Sequence, residues 1–174
     1  MQPARFRADV LIDTTTLSPH ELRAEVTRYF AQDLSHTMAI SVQSFSYKRG
    51  TPSGIDMMFD CRFLRNPYWD QVLRSENGLH AGVQSYVAED KNFAPFRKQI
   101  LDLTDLVIPA HMAEGRSHLA IGFGCTGGKH RSVTMVEMLQ KDLQLRGWHV
   151  TIRHRELVEQ TAHTDTSKSK VMDS

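Results

Sequence analysis

The sequence predicts an α/β fold: a single compact domain with a mostly parallel sheet flanked by helices. Three observations carry this. Short apolar runs of strand character alternate with segments whose apolar residues recur at helical spacing. The run His118 to Phe123 passes through a glycine-rich loop straight into a helical pattern, the strand–loop–helix order of a parallel layer. A chain of 174 residues, 40% hydrophobic and 24% charged, supports one good core and leaves little room for a second.

The elements follow in order. Val10 to Ile12 reads as a short strand. Ser18-Pro19-His20-Glu21 then opens a helix: Ser18 can cap, Pro19 suits the first turn and Glu21 closes a capping box. Ala39 to Tyr47 alternates like a strand, and Arg49 to Gly54 is loop punctuation. Met57 to Phe63 reads as a buried strand ending near Asp60-Cys61-Arg62, and Asn66-Pro67 and Ser75 to Gly78 are turns. Phe93, Phe96, Ile100, Leu103 and Val107 recur at helical spacing, which predicts a helix over 92–114, shortened or kinked at Pro109 and stopped by Gly115. Val133, Val136, Leu139 and Leu143 form the inner stripe of a helix over 132–146 that Gly147 ends, and Trp148 to Ile152 is a last strand. The domain layout is an amino-terminal extension over 1–35, the α/β domain over 36–157 and a polar tail over 158–174 whose composition predicts disorder.

The loop from Gly124 to Arg131 is the chemically informative part. Gly124, Gly127 and Gly128 can adopt positive φ and leave backbone N–H groups uncovered, and Lys129, His130 and Arg131 add cationic side chains where the helix starts. Backbone donors, a helix N-terminus and flexible cations make an anion site, most naturally for phosphate. In this reading the amides of Thr126, Gly127 and Gly128 with Arg131 hold phosphate, while Lys129 and His130 adjust the charge. In parallel sheets ligands gather beyond the carboxyl ends of strands, so Asp60, Arg62 and Asn66 can face the same pocket. Asp60 would accept from a sugar hydroxyl or ammonium, and Arg62 or Asn66 would complete the site.

Other chemistries fit the loop less well. A nucleotide P-loop needs four residues between its glycines and a Ser or Thr after its Lys; here three residues separate Gly124 from Gly128 and His130 follows Lys129. Cys125, Arg131 and Ser132 do have the Cys-x5-Arg-Ser spacing of a cysteine phosphatase, in which a low-pKa thiolate attacks the phosphoryl group. No loop offers an evident general-acid Asp for that reaction. Each residue also has an ordinary reading: the glycines as a tight turn, Cys125 as a small buried residue, Asp60 and Arg62 as a mutual pair, Asn66 as a turn opener, and His154 as solvated surface.

Bulk charge excludes little. The formal net charge is +1, but from Arg116 to Arg155 seven Lys or Arg face two acids, Glu137 and Asp142, so a basic face is expected there. The two cysteines, Cys61 and Cys125, lack metal-ligand spacing and suggest neither a zinc site nor a disulfide framework, which suits a reducing cytoplasm. No apolar run is long enough to span a membrane. No metal, cofactor or catalytic residue is expected.

Several motifs in one order resemble a known family. FDCRFLRNPYW (Phe59–Trp69), GFGCTGGKHRSV (Gly122–Val133) and the run Arg153-His154-Arg155 are similar to the carboxy-terminal domain of the RNase adapter protein RapZ family. ADVLIDTTTLSPHELR (Ala8–Arg23) resembles the end of that family's P-loop domain. The resemblance implies an α/β domain akin to sugar-phosphate-binding domains. It also implies sensing of a phosphorylated amino sugar of the glucosamine-6-phosphate kind, binding of small regulatory RNA, delivery of that RNA to an endoribonuclease, and a homo-oligomer. Lys129, Arg131, Arg153 and Arg155 are then the expected RNA contacts. The sequence departs from the family at three points: it has no Walker A loop, so nucleotide binding is not carried over; Tyr68 stands where His is expected; and the tail is less basic.

Overall fold

The computed structural model describes residues 38–157 and, ahead of them, 12–19, 21, 22 and 25. The chain divides into two units, Met1–Thr37 and Met38–Ser174. In the first, the expected capping box is formed: Ser18 N donates to Glu21 Oε2 at 2.7 Å and Glu21 N to Ser18 Oγ at 3.3 Å. Most of the strand expected near Val10, the boundary at residue 35 and the polar tail lie outside the described residues.

The second unit is an α/β layer. Its strands are β1 (Ala39–Ser46), β2 (Met57–Asp60), β3 (His118–Cys125) and β4 (Val150–His154), and its helices are α1 (Ala81–Ala88), α2 (Phe93–Ala113) and α3 (Arg131–Leu145). The described strands form one sheet of order β2–β3–β1–β4, parallel throughout. The register pairs Ser46 with Cys125 and Asp60 with Gly124, so β1, β2 and β3 end level with one another. This level edge positions the loops that leave β1, β2 and β3. No described helix is long and apolar enough to cross a membrane.

β3 is buried from Leu119 to Cys125, as a strand covered on both faces must be. Its residues alternate in size. Leu119, Ile121 and Phe123 fill one face, where Phe123 stacks on Phe59 of β2 at 5.4 Å. Ala120, Gly122 and Gly124 leave room on the other for Phe45 and Tyr47, which meet edge to face at 5.0 Å. The stripe expected on α3 is fully realised: Val133, Val136, Leu139 and Leu143 are all buried.

Helix α2 keeps its expected range and differs in the stripe it buries. Its buried stripe is Phe93, Ile100, Thr104 and Ile108, and Leu103 is exposed. Thr104 can occupy the core because its hydroxyl donates to Leu101 O at 2.8 Å, so no polar group is left unpaired. The helix runs through Pro109 to Ala113, one residue short of its expected end. The ion pair of Asp105 with Arg146 joins the helix to the end of α3. A second clamp joins α2 to α3: Arg97 Nε donates to Asp142 Oδ2 at 2.6 Å, and its Nη2 bonds Oδ1 of the same buried carboxylate. Gly115 and Gly147 end their helices as expected, at φ 77° and 84°.

Gly124 generates a stability prediction. A Cβ there would lie 2.5 Å from Phe45 Cζ and from Tyr47 Cε2. Gly124→Ala is expected to cost about 1–3 kcal/mol by overpacking, read as a lower midpoint in urea unfolding. An unchanged midpoint would show that the two rings move aside freely.

Candidate anion-binding site

Cys125 ends β3 and Arg131 begins α3, so five residues turn the chain at the level edge of the sheet. Of the three glycines expected to use positive φ, only Gly128 does, at 65°. A Cβ on Gly128 would also lie 2.4 Å from Glu156 Oε2, so this position needs glycine twice over. Gly124 is a strand residue. Gly127 has an ordinary φ, and a Cβ on it would meet nothing within 4 Å.

Helix α3 presents its N-terminus at this turn. His130 is its N-cap residue and makes no side-chain cap, so the first N–H groups keep their positive end towards the turn. A second turn is fastened to the first. Gly78 N donates to Lys129 O at 2.9 Å, Lys129 Nζ donates to Ser75 O at 2.7 Å, and a Cβ on Gly78 would sit 2.4 Å from His130 O. Glycine at 78 is therefore a close-approach requirement.

Arg131 is buried, with 5% exposure. Its Nη1 donates to the carbonyls of Arg62 and Leu64, and its Nη2 donates to Thr126 Oγ1 at 3.3 Å. It thereby ties the segment after β2 to the loop after β3, while its buried Nε has no partner. His130 is also buried. Desolvation holds its pKa below the ordinary histidine value, opposed by hydrogen bonds to the backbone of Glu76 and Arg74 and reinforced by the charges of Lys129 and Arg131. Its Nε2 is buried without a partner. Cys125 is buried with Sγ 3.1 Å from Ser132 Oγ. Cys61 N donates to Gly124 O at 2.8 Å, which extends the β2–β3 ladder by one residue and sets Cys61 opposite Cys125. Burial chiefly, then Cys125 and Asp60, push the Cys61 thiol well up, and both cysteines are free.

These parts surround a cleft of about 550 Å³. Of the residues expected from sequence, it brings together Asn66, Cys125, Thr126, Gly127 and the basic residues Lys129, His130 and Arg131. Asp60, Arg62 and Gly128 are not among its walls. Arg62 instead chelates Asp60, with Nε at 2.9 Å and Nη2 at 2.7 Å from Oδ2, and lies 4.3 Å from the centroid of the Tyr47 ring. The Asp60 carboxyl is held below its ordinary pKa, mainly by that hydrogen bond to Arg62.

Four wall residues were not expected: Lys48, Tyr68, Trp69 and Arg74. Lys48 arrives because β1 ends level with β3, a register that no local sequence signal reveals. Tyr68 and Trp69 sit inside the NPYW run, whose turn was legible but whose aromatic side chains were not assigned. No acidic side chain lines the cleft among the described residues.

The expected basic face is largely used up by internal contacts. Arg116 pairs with Asp56 at 2.6 Å and Arg146 with Asp105 at 3.1 Å. Arg155 donates to Ser46 O, Gly50 O and Glu156 Oε1, so its guanidinium braces the end of β1. β4 starts and ends later than expected, which makes Arg153 an exposed strand residue and turns His154 inward. Contrary to the expectation of a solvated surface group, His154 spans Ser44 Oγ and Glu137 Oε1, each at 3.0 Å.

A family model described as the RapZ C-terminal domain matches residues 38–158. A protein of Cereibacter sphaeroides (strain ATCC 17025 / ATH 2.4.3) named a nucleotide-binding protein is 53% identical over 162 residues, covering 93% of this chain and 54% of that protein. A nucleotide-binding protein of Dinoroseobacter shibae is 57% identical over 157 residues, covering 90% and 52%. One of Roseobacter denitrificans is 56% identical over 155 residues, covering 89% and 52%. The chain thus spans about half the length of the curated relatives it matches. On the family match and these identities, the chain belongs to the RapZ C-terminal domain family.

Proposed function

We propose that this domain is the ligand-sensing and RNA-binding module of a cytoplasmic RNase adapter. The carrying observation is the cleft at the level edge of the sheet, where a helix N-terminus and several cations converge and no carboxylate of the described residues intrudes. Such a lining favours a phosphorylated ligand. For a phosphorylated amino sugar of the glucosamine-6-phosphate kind, the ammonium also needs a carboxylate. Asp60 is near enough to Arg131 for that charge to lower its pKa, and it can serve if Arg62 swings away. The partners on this reading are a small regulatory RNA and the endoribonuclease to which it is delivered.

Catalysis is not part of the proposal. Arg131, the arginine of the Cys-x5-Arg spacing, is turned onto the carbonyls of Arg62 and Leu64. No carboxylic acid among the described residues faces the cleft to protonate a leaving group.

Three outcomes test these statements. Gly127→Ala places a methyl group in the open cleft and is expected to leave the unfolding midpoint unchanged. By crowding the phosphate away from the loop amides it should weaken a phosphorylated amino sugar by about 10- to 150-fold, the loss expected when one charge-assisted hydrogen bond is stretched out of range. Calorimetry with the sugar phosphate and its dephosphorylated form reads this, and equal affinity for the two would sink the phosphate reading. Arg131→Ala is the poorer probe, since it also releases two backbone carbonyls.

The unmodified protein is expected to show no turnover of an aryl phosphate. Sustained release of the phenol, lost in Cys125→Ser with binding kept, would establish the phosphatase instead.

For RNA, Arg153→Ala should lower the salt slope of binding by up to about one counterion, measured by gel shifts at several salt concentrations with heparin as competitor. Arg155→Ala is expected to lower the unfolding midpoint, because its guanidinium is occupied by Ser46, Gly50 and Glu156. An unchanged slope in Arg153→Ala would remove β4 from the RNA surface.

A further inference from the structure

Trp69 is 74% exposed, and its neighbour Tyr68 is 49% exposed. Isolated surface aromatics need no explanation, but these two line the cleft with Lys48, Arg74 and Lys129. They are also held in place. Asn66 Oδ1 accepts from Tyr68 N at 3.3 Å, Asn66 O accepts from Trp69 N at 3.2 Å, and Pro67 fixes the turn between them. The rings meet edge to face, 5.5 Å apart at 80°. Arg74 lies over the Tyr68 ring at 4.7 Å and donates Nε to Tyr68 O at 2.9 Å, so one face of the tyrosine is already occupied. Trp69 is left as the open stacking surface.

An indole on a pinned turn, beside a cationic groove whose described lining holds no acid, is the arrangement by which proteins hold unpaired nucleotides. The cations track the backbone and a base stacks on the ring. Lys48, Arg74 and Lys129 offer more positive charge than a single phosphate needs, whereas consecutive phosphates of a strand would pair with each of them. We propose that the cleft holds an unpaired nucleotide of RNA, with its phosphate at the 126–131 loop and its base stacked on Trp69. This rests on the RNA-binding reading above and names the place and the strandedness of the contact.

The test uses the full chain with Trp148→Phe, which leaves Trp69 as the sole indole, since the sequence contains two tryptophans. The probes are an unstructured oligouridylate, a fully paired RNA hairpin, glucosamine-6-phosphate and inorganic tripolyphosphate. The oligouridylate is expected to quench Trp69 emission in a saturable way, and tripolyphosphate to compete without quenching. In the natural chain, Trp69→Ala should weaken the oligouridylate about 5- to 150-fold at an unchanged salt slope, with Trp69→Phe retaining most of the affinity. Filter binding reads this independently of whether Trp148→Phe folds well. Equal affinity of the parent and Trp69→Ala for the oligouridylate overturns the proposal. So does quenching by the sugar phosphate alone, which would make the indole a wall for the small ligand. Binding of the hairpin with silent Trp69 emission overturns it while leaving the RNA reading intact, and failure of every RNA to bind the parent removes both.

Discussion

The guanidinium of Arg131 accounts for the position of the loops after β2 and β3, because it is the group that both contact. Burying a cation without a carboxylate costs on the order of several kcal/mol. The recovery comes from the carbonyls of Arg62 and Leu64 and the hydroxyl of Thr126, all of them backbone or loop groups. An arginine in the first turn of a helix is also unfavourably placed against the macrodipole. Both penalties are relieved by an anion in the cleft, since the charge it supplies is the one the protein omits. His130, buried beside Lys129 and Arg131, avoids the same penalty because desolvation keeps it neutral. The strain sits on Arg131, so an anion bound in the cleft would be linked to local stability.

What was legible in the sequence divides along the range of the interaction. The α3 stripe, the capping box at Ser18 and Glu21 and the helix stops at Gly115 and Gly147 depend on neighbours within a few residues, and all are present. Helix α1 was missed because its eight residues bury only Val83 and Val87, too few to establish a period. Thr104 inside and Leu103 outside reverse their hydrophobicity because a local hydroxyl–carbonyl bond makes the threonine cheap to bury. In the site, the glycine–cation loop was readable but the use of each glycine was not. Gly124 serves aromatic packing, Gly128 the positive φ and Gly127 open space, and only tertiary neighbours separate these roles.

Charge was the least readable feature, for a related reason. A local excess of arginine becomes a surface potential only where tertiary structure leaves it unpaired. Here Arg116, Arg146 and Arg155 each meet a carboxylate, and Asp56 and Asp105 come from sequence stretches outside the basic segment. The cations that do face the cleft, such as Lys48 and Arg74, come from elsewhere in the chain. The register of β1 against β3 brings one of them in, and the turn clamped to Lys129 brings the other.

The Asp60–Arg62 pair bears on how such a cleft could distinguish ligands. Both side chains are substantially exposed, at 42% and 51%, so the pair is screened and contributes little to stability. A ligand ammonium could therefore replace the guanidinium without a large penalty, since the carboxylate exchanges one cation for another. A neutral hydroxyl in the same place would have to break a bidentate ion pair for a weaker bond. The pair would then favour an amino sugar over its hydroxyl analogue while leaving nucleotide contacts at Trp69 untouched. Discrimination of this kind needs no carboxylate in the resting wall of the cleft, only one held nearby by a partner that exchanges readily.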